Sequence, residues 1–169
     1  MPRSDFMTPR DQRYFEDYEK GAVFEYGPID AEETEILEFA RRFDPQAMHI
    51  DPEAAARGPF QGLIASGWHT IGLMMRLFVD HYLTAVASLA SPGVDEVRWL
   101  KPVRPGDQLR LRLAIADTAP SRSKPDRGMV HTVAEGINQH GEVVASFRAM
   151  NIIGRRSSSL PNREGLSGP

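Results

Sequence analysis

Residues 61–83 read QGLIASGWHTIGLMMRLFVDHYL. From Ser66 to about Leu83 this stretch predicts a helix with apolar side chains on nearly every side rather than along one stripe. These apolar residues are Trp68, Ile71, Leu73, Met74, Met75, Leu77, Phe78 and Val79. Such a helix is typical of a protein core, and it is too short and too interrupted by polar residues to span a membrane. The rest of the chain therefore has to enclose it.

The second half of the chain supplies strands that can enclose this helix. VDEVRWLKPV (94–103) predicts a strand followed by the turn RPGD, and QLRLRLAIADT (108–118) alternates between polar and apolar residues. The stretch 128–154 predicts two long strands joined at residues 139–141. We therefore expect an α+β fold in which a curved antiparallel sheet of five or six strands wraps the long helix. Because such a sheet leaves its edge strands exposed, we also expect at least a homodimer.

The first half of the chain predicts one strand and one amphipathic helix. AVFEYGPI (22–29) is typical of a strand ended by Gly27 and Pro28. Asp30 then has the position of a helix N-cap, and apolar residues share one face from about residue 31 to 42. Pro45 ends this helix because the residue before a proline avoids the helical region.

Composition limits the classes of function. A formal charge of −3 argues against a general nucleic-acid binder, and the lack of cysteine excludes disulfides, thiolate nucleophiles and cysteine-bound metals. No signal-like or membrane-spanning apolar run occurs, so we expect a cytoplasmic protein without a membrane partner. We expect one domain over residues 14–154, between flexible tails at 1–13 and 155–169.

Chemistry is concentrated in FDPQAMHID (43–51), which we expect to be an irregular segment after the first helix. Asp44 lies five residues before His49, the side chain type whose ordinary pKa is closest to neutrality. A carboxylate and an imidazole can polarise one water from two directions, as general acid–base catalysis requires. The spacing alone leaves open whether they converge, because a turn aspartate and a structural histidine are the more common individual roles.

A second candidate element, Ile64-Ala65-Ser66-Gly67, directly precedes the buried helix. The first amides of a helix have no intrahelical partner and carry partial positive charge, so they can stabilise an oxyanion. The alternative is structural, with Ser66 as an N-cap and Gly67 as a packing glycine. His69, on the same helix, is interpreted as a hydrogen-bonded core histidine, and no metal site is expected.

Taken together, these elements resemble the MaoC-like dehydratases, or R-specific enoyl-CoA hydratases, of the hot-dog fold. Their motifs D-x-N-P-L-H and I-A-H-G are similar to residues 44–49 and 64–67 here. YFEDYEKGAVFEYGPI and VRWLKPVRPGD also resemble that family, so the resemblance covers about residues 14–154. Among its departures from the family pattern, the chain has Gln46 for asparagine, Ala47 for proline and Ser66 for histidine.

The resemblance implies a hydro-lyase that adds water to a trans-2-enoyl-CoA thioester, or removes it, without a separate cofactor. Asp44, His49, Ser66 and Gly67 would form the catalytic site, with the Gly67 amide on the thioester oxygen. Apolar residues would line the substrate pocket, and a basic segment would meet the phosphates of CoA. These are Met48, Ile64, Ala65 and Trp68 for the pocket, and Arg122, Lys124 and Arg127 for the phosphates. A hot-dog thioesterase and a non-catalytic acyl-CoA-binding module are the alternatives.

Overall fold

A computed structural model describes residues 5–157 and shows an α+β fold. Five antiparallel strands form one sheet in the order β1-β3-β4-β5-β2, so that β1 and β2 are its edges. The strands are β1 (Val23–Asp30), β2 (Ser88–Trp99), β3 (Gln108–Pro120), β4 (Arg127–Ile137) and β5 (Val143–Gly154). The helices are α1 (Glu33–Phe43), α2 (Ala47–Ile50), α3 (Pro52–Arg57) and α4 (Gly67–Leu77), and the π-helix Phe78–Tyr82 continues α4. The predicted fold class is confirmed.

Helix α4 packs its inner face on the sheet. Leu73, Met74 and Leu77 are buried in one core cluster with strand residues of β3, β4 and β5. On β4, a Cβ at Gly136 would lie 2.9 Å from the sulfur of Met74, so this glycine leaves room for the methionine side chain between α4 and the sheet. Burial of such apolar side chains, at about 1.5–3 kcal/mol each, is the main stabilisation of the fold.

The composition of α4 predicts a helix enclosed on every side, but the structure leaves one side of it exposed. Trp68 is 57% exposed, and Met75 and Val79 are also exposed. A single sheet covers only the inner face of a helix, so the outward stripe needs a second layer to be buried. The apolar composition of α4 therefore reflects the core on one side and an uncovered surface on the other.

The entry into α1 also differs from the prediction. Strand β1 does not end at Gly27 and Pro28 but continues through them, with an irregular register, to Asp30. The side chain of Asp30 accepts a hydrogen bond from Gln108 of β3, and the N-cap of α1 is Glu32, without a capping side chain. Pairing with β3 thus replaces the expected cap. The predicted end of α1 before Pro45 is confirmed.

The N-terminal segment packs on the domain from Asp5 onward, although its sequence predicts a separate tail up to residue 13. The ring of Phe6 stacks on that of Phe24 at 4.2 Å between centroids. Arg13 is 1% exposed and donates hydrogen bonds to the carbonyl oxygens of His81 and Tyr82, at the end of the π-helix. Most of the predicted C-terminal tail, residues 158–169, lies outside the described residues.

We expect Arg13→Met to lower the free energy of unfolding by about 2–4 kcal/mol, because it leaves buried carbonyl groups without their charged donor. Urea denaturation measures the change as a lower midpoint at an unchanged slope. The exposed Arg57 of α3 offers a matched control, since Arg57→Met should change stability by less than about 0.5 kcal/mol. Equal midpoints for both variants would contradict the anchoring role of Arg13.

Candidate active site

The end of α1 and the short helix α2 bring Asp44 and His49 together. Asp44 is the C-cap of α1, and its backbone N–H donates to the carbonyl of Ala40. The segment after Pro45 is not irregular, as we expected, because residues 47–50 form one helical turn that contains His49. This turn places Nε2 of His49 3.5 Å from Oδ2 of Asp44. The two side chains converge.

One nitrogen of the His49 ring is committed to the backbone. Nδ1 lies 2.8 Å from the carbonyl oxygen of Ile64, in the segment that leads into α4. A carbonyl oxygen can only accept, so Nδ1 must carry a proton and donate it. In the neutral ring Nε2 then has a free lone pair directed toward Asp44. The side chain is only 6% exposed, so His49 is held as an oriented proton acceptor.

Two donors hold the Asp44 carboxylate. Nε2 of Gln46 donates to Oδ1 and the hydroxyl of Ser66 donates to Oδ2, each at 2.7 Å. These two hydrogen bonds lower the pKa of Asp44 below its ordinary value, with a smaller contribution from His49, while partial burial opposes them. The carboxylate is therefore ionised at neutral pH.

Ser66 and Gly67 occupy the start of α4. Ser66 is fully buried, and its side chain does not cap the helix because its hydroxyl donates to Asp44 instead. Gly67 contributes the first amide of α4, a position without an intrahelical acceptor. A Cβ on Gly67 would lie 2.4 Å from Nε1 and Cε2 of Trp99, so the indole packs directly on this glycine. Gly67 thus has a packing role and also offers an amide.

Asp44, His49 and Gly67 line one cleft of about 400 Å³. Of the residues predicted from sequence, its lining includes Asp44, Met48, His49, Ile64, Ala65, Gly67 and Trp68. Ser66 lies behind this surface and reaches the site only through Asp44. Several further residues line the cleft that the sequence did not assign to it: Gln46 and Thr70 lie close to predicted site residues, and the others come from more distant segments. These further residues are Gln46, Phe60, Thr70, Trp99, Leu100, Lys101, Pro102 and Val103.

The basic segment with Arg122, Lys124 and Arg127 is not part of this cleft. It forms the hairpin between β3 and β4, where Gly128 pairs with Ile153. Trp99 of the cleft and Gly136 of β4 both pair with Ala145 of β5, and Gly136 is eight positions from Gly128, about 27 Å at 3.4 Å per residue. Arg122, Lys124 and Arg127 thus do not line the cleft, and their contact with the phosphates of CoA stays a prediction.

His69 is buried, but it is not the hydrogen-bonded core histidine that we expected. Its ring stacks on Phe39 at 5.2 Å, and within residues 5–157 its Nδ1 has no hydrogen-bond partner. Burial lowers its pKa, with a smaller opposing effect of Glu35. The neutral ring lines a separate groove between α1 and α4.

Residues 5–157 contain no group of three or more histidine, cysteine or acidic side chains arranged to hold a metal ion. In the same range, no helix has the length and apolar character needed to cross a membrane.

Comparison with known proteins gives related sequences over most of the domain. The family model described as "MaoC like domain" matches residues 17–136. The uncharacterized protein YdeM of Bacillus subtilis is 33% identical over 104 residues, which cover 62% of this chain and 74% of YdeM. The mesaconyl-CoA hydratase of Cereibacter sphaeroides is 38% identical over 48% of this chain, and the 3-hydroxyacyl-thioester dehydratase Z of Mycobacterium tuberculosis is 41% identical over 40%. The matches span only 23% and 45% of those two enzymes.

Solved structures show the same fold. The MaoC-like dehydratase from Rhodospirillum rubrum is 38% identical, with a TM-score of 0.79 over 85% of this chain and 98% of its own. The R-hydratase PhaJ1 from Pseudomonas aeruginosa is 23% identical, with a TM-score of 0.68 over 85% of this chain and 86% of its own, and it supports the fold alone. With its central helix, its five-stranded sheet and a family match over residues 17–136, the chain belongs to the MaoC-like family of hydratases and dehydratases and has the hot-dog fold.

Proposed function

We propose that this protein adds water to an enoyl-CoA thioester, or removes water from the corresponding 3-hydroxyacyl-CoA. One observation carries the proposal. A free imidazole nitrogen of His49, the ionised carboxylate of Asp44 and the amide of Gly67 all belong to one cleft. A proton acceptor, a group that orients water and an oxyanion donor are what hydration of a conjugated thioester needs.

In the hydration direction, Nε2 of His49 accepts a proton from water while the water oxygen bonds to C3 of the substrate. The electron pair of the C2–C3 double bond shifts toward the thioester carbonyl, whose oxygen gains negative charge. The N–H of Gly67 and the positive end of α4 stabilise that charge. The imidazolium then returns the proton to C2, so all atoms of the water enter the product. Dehydration follows the same steps in reverse.

Asp44 serves this sequence without leaving its ionised state. Its Oδ2 lies 3.5 Å from Nε2 of His49, close enough to stabilise the imidazolium and to accept a hydrogen bond from the attacking water. Its lowered pKa makes it a poor proton donor at neutral pH. We therefore assign the proton transfer to His49 and the orientation of water to Asp44.

The walls of the cleft suit an acyl group next to this chemistry. Met48, Ile64, Ala65, Trp68 and Trp99 supply an apolar lining. Lys101 adds a cation at the cleft, paired with Glu142. The acyl chain would contact the apolar lining, and the reaction would need no separate cofactor.

We also propose a homodimer formed by pairing of the β2 edges. Exposed apolar residues on and next to this strand, including Leu89, Val94 and Trp99, are unusual for an edge that faces water. Antiparallel pairing about the middle of β2 would place Ser88 of one copy opposite Trp99 of the other. Because Ser88 and the β3–β4 hairpin both pair with Ile153, the basic hairpin of one copy would then approach the cleft of its partner.

If the homodimer forms by pairing of the β2 edges, Val94→Lys should yield monomers, because a charge on the edge strand opposes strand pairing. Sedimentation velocity measures the change, with wild-type protein sedimenting as a dimer at the same concentration. Thr34→Lys, on the exposed surface of α1, is the matched control and should remain dimeric. A monomeric wild type, or a dimeric Val94→Lys variant, would exclude pairing through β2.

A panel of trans-2-enoyl-CoA esters of varied length and polarity tests the proposed reaction. Loss of the conjugated-thioester absorbance with retention of the thioester supports hydration. Release of free CoA, detected with a thiol reagent, would support a thioesterase instead. Asp80, the acidic residue near the end of the central helix, bonds to Arg76 and does not line the cleft, so the structure does not favour that alternative. Binding without turnover across the panel would indicate a non-catalytic module.

A further inference from the structure

Each oxygen of the Asp44 carboxylate accepts a hydrogen bond from its own side-chain donor, Gln46 on Oδ1 and Ser66 on Oδ2. The amide of Gln46 is two residues away on the same loop, whereas Ser66 is 22 residues away, at the start of α4. Gln46 and Ser66 are both positions at which the sequence departs from the family pattern. Both substituted side chains donate a hydrogen bond to the carboxylate of Asp44.

We propose that Gln46 and Ser66 are paired positioning residues that hold the Asp44 carboxylate in one orientation, with Oδ2 toward His49. A carboxylate with one donor can still rotate about its Cβ–Cγ bond. Two donors on opposite oxygens fix that rotation, and charge-assisted hydrogen bonds are the stronger kind. Ser66 is therefore a positioning residue and does not touch the substrate.

The chemistry of the two donors is unambiguous. A carboxylate only accepts hydrogen bonds, so the NH₂ group of Gln46 faces Asp44 and the amide oxygen faces away. The hydroxyl of Ser66 is fully buried, so water does not compete for it. The side chain of Gln46 is exposed, and we expect its hydrogen bond to be the weaker of the two.

The two hydrogen bonds also make the stability of the fold depend on pH through the ionisation of Asp44. His49 is the titratable group that faces its carboxylate, and Lys101, paired with Glu142, is the other charged group of the cleft. Because the pKa of Asp44 is lowered in the folded protein, the ionised carboxylate stabilises the fold above its ordinary pKa of 3.8. That stabilisation is lost as the pH falls through the lowered value, and removing either donor should reduce it.

Four variants test the pair: Gln46→Ala, Gln46→Glu, Ser66→Ala and the double variant Gln46→Ala/Ser66→Ala. Titration of the Asp44 carboxyl carbon by NMR should give a pKa below 3.8 in the wild type and a higher pKa in every variant. This readout needs no substrate. Ser146→Ala is the matched control, since no hydrogen bond of its hydroxyl is found among residues 5–157, and it should leave the pKa of Asp44 unchanged.

The kinetic readout rests on the proposed hydration. We expect each alanine variant to lower kcat about tenfold with little change in KM, as for loss of one hydrogen bond to a charged group. The double variant should lose less than the product of the two, because the first loss already frees the carboxylate. Gln46→Glu should lower kcat more than Gln46→Ala, since it replaces a donor by a like charge. If Gln46 only filled space, the order would be reversed.

The outcomes separate this inference from the proposed function. A wild type without hydratase activity but with the expected pKa changes would overturn the function and retain the pair. If the wild type has hydratase activity but the pKa of Asp44 is the same in the wild type and in the variants, the positioning role of Gln46 and Ser66 is overturned and the proposed function is retained. Multiplicative losses of kcat in the double variant would show that Gln46 and Ser66 act independently, which also contradicts the proposal.

Discussion

Replacing His49 by glutamine should lower enoyl-CoA hydration by about a hundredfold to ten-thousandfold, the range expected for loss of an acid–base group. Glutamine is similar to histidine in length, but its amide does not reproduce the Nδ1 hydrogen bond to the carbonyl of Ile64, so the folding of the variant has to be checked. It cannot accept and return a proton at the position of Nε2. The loss should therefore appear in kcat, with a smaller change in KM.

Steady-state kinetics on a reactive enoyl-CoA, with thermal denaturation to check folding, measures this effect. His140→Gln is the matched control because His140 is on the hairpin between β4 and β5, outside the cleft, and it should retain wild-type turnover. Asp44→Asn should also lose at least about a hundredfold, since the amide cannot stabilise an imidazolium. Wild-type-like turnover in His49→Gln would remove His49 from the mechanism.

Adding a single methyl group at Gly67 should have the second largest effect. In Gly67→Ala the Cβ would lie 2.4 Å from two atoms of the Trp99 indole, a separation that forces either the ring or the start of α4 to move. Movement of the start of α4 would displace the amide to which we assign the thioester oxygen. Loss of an oxyanion donor commonly lowers kcat by about 10²–10³, and we expect a decrease of that size.

Gly72 provides the matched control on the same helix. A Cβ at Gly72 meets no described atom within 4 Å, so Gly72→Ala should keep activity and raise stability by up to about 1 kcal/mol through helix propensity. The double variant Gly67→Ala/Trp99→Ala removes the ring and should recover at least about tenfold of the lost kcat, consistent with relief of a local clash. Gly67→Ala with wild-type kcat would contradict the placement of the oxyanion site.

The sequence predicted the features that depend on local pattern. Alternation in 108–118 and 128–154 identified three of the five strands, and the proline after Asp44 identified the end of α1. The spacing of Asp44 and His49 indicated the dyad because both residues lie in one short segment. The Asp30 cap was wrong because the hydrogen bond with Gln108 of β3 competes with capping.

The sequence did not predict features that depend on distant contacts. Trp99 and Lys101 join the cleft because the end of β2 lies beside the start of α4, which no local pattern indicates. The hydroxyl of Ser66 has the sequence position of an N-cap, and only the tertiary fold brings Asp44 within 2.7 Å of it. The distance between the basic hairpin and the cleft likewise follows from the register of β4 with β5.

Isotope incorporation tests the central assignment most directly. Wild-type protein and His49→Gln are incubated with crotonyl-CoA in deuterated water enriched in ¹⁸O, and the product is analysed by mass spectrometry and NMR. We expect the wild type to form 3-hydroxybutyryl-CoA with solvent oxygen on C3 and deuterium on C2, and His49→Gln to form it at least about a hundredfold more slowly. Equal incorporation by both proteins, or free CoA without oxygen on C3, would contradict a water-adding site built on His49.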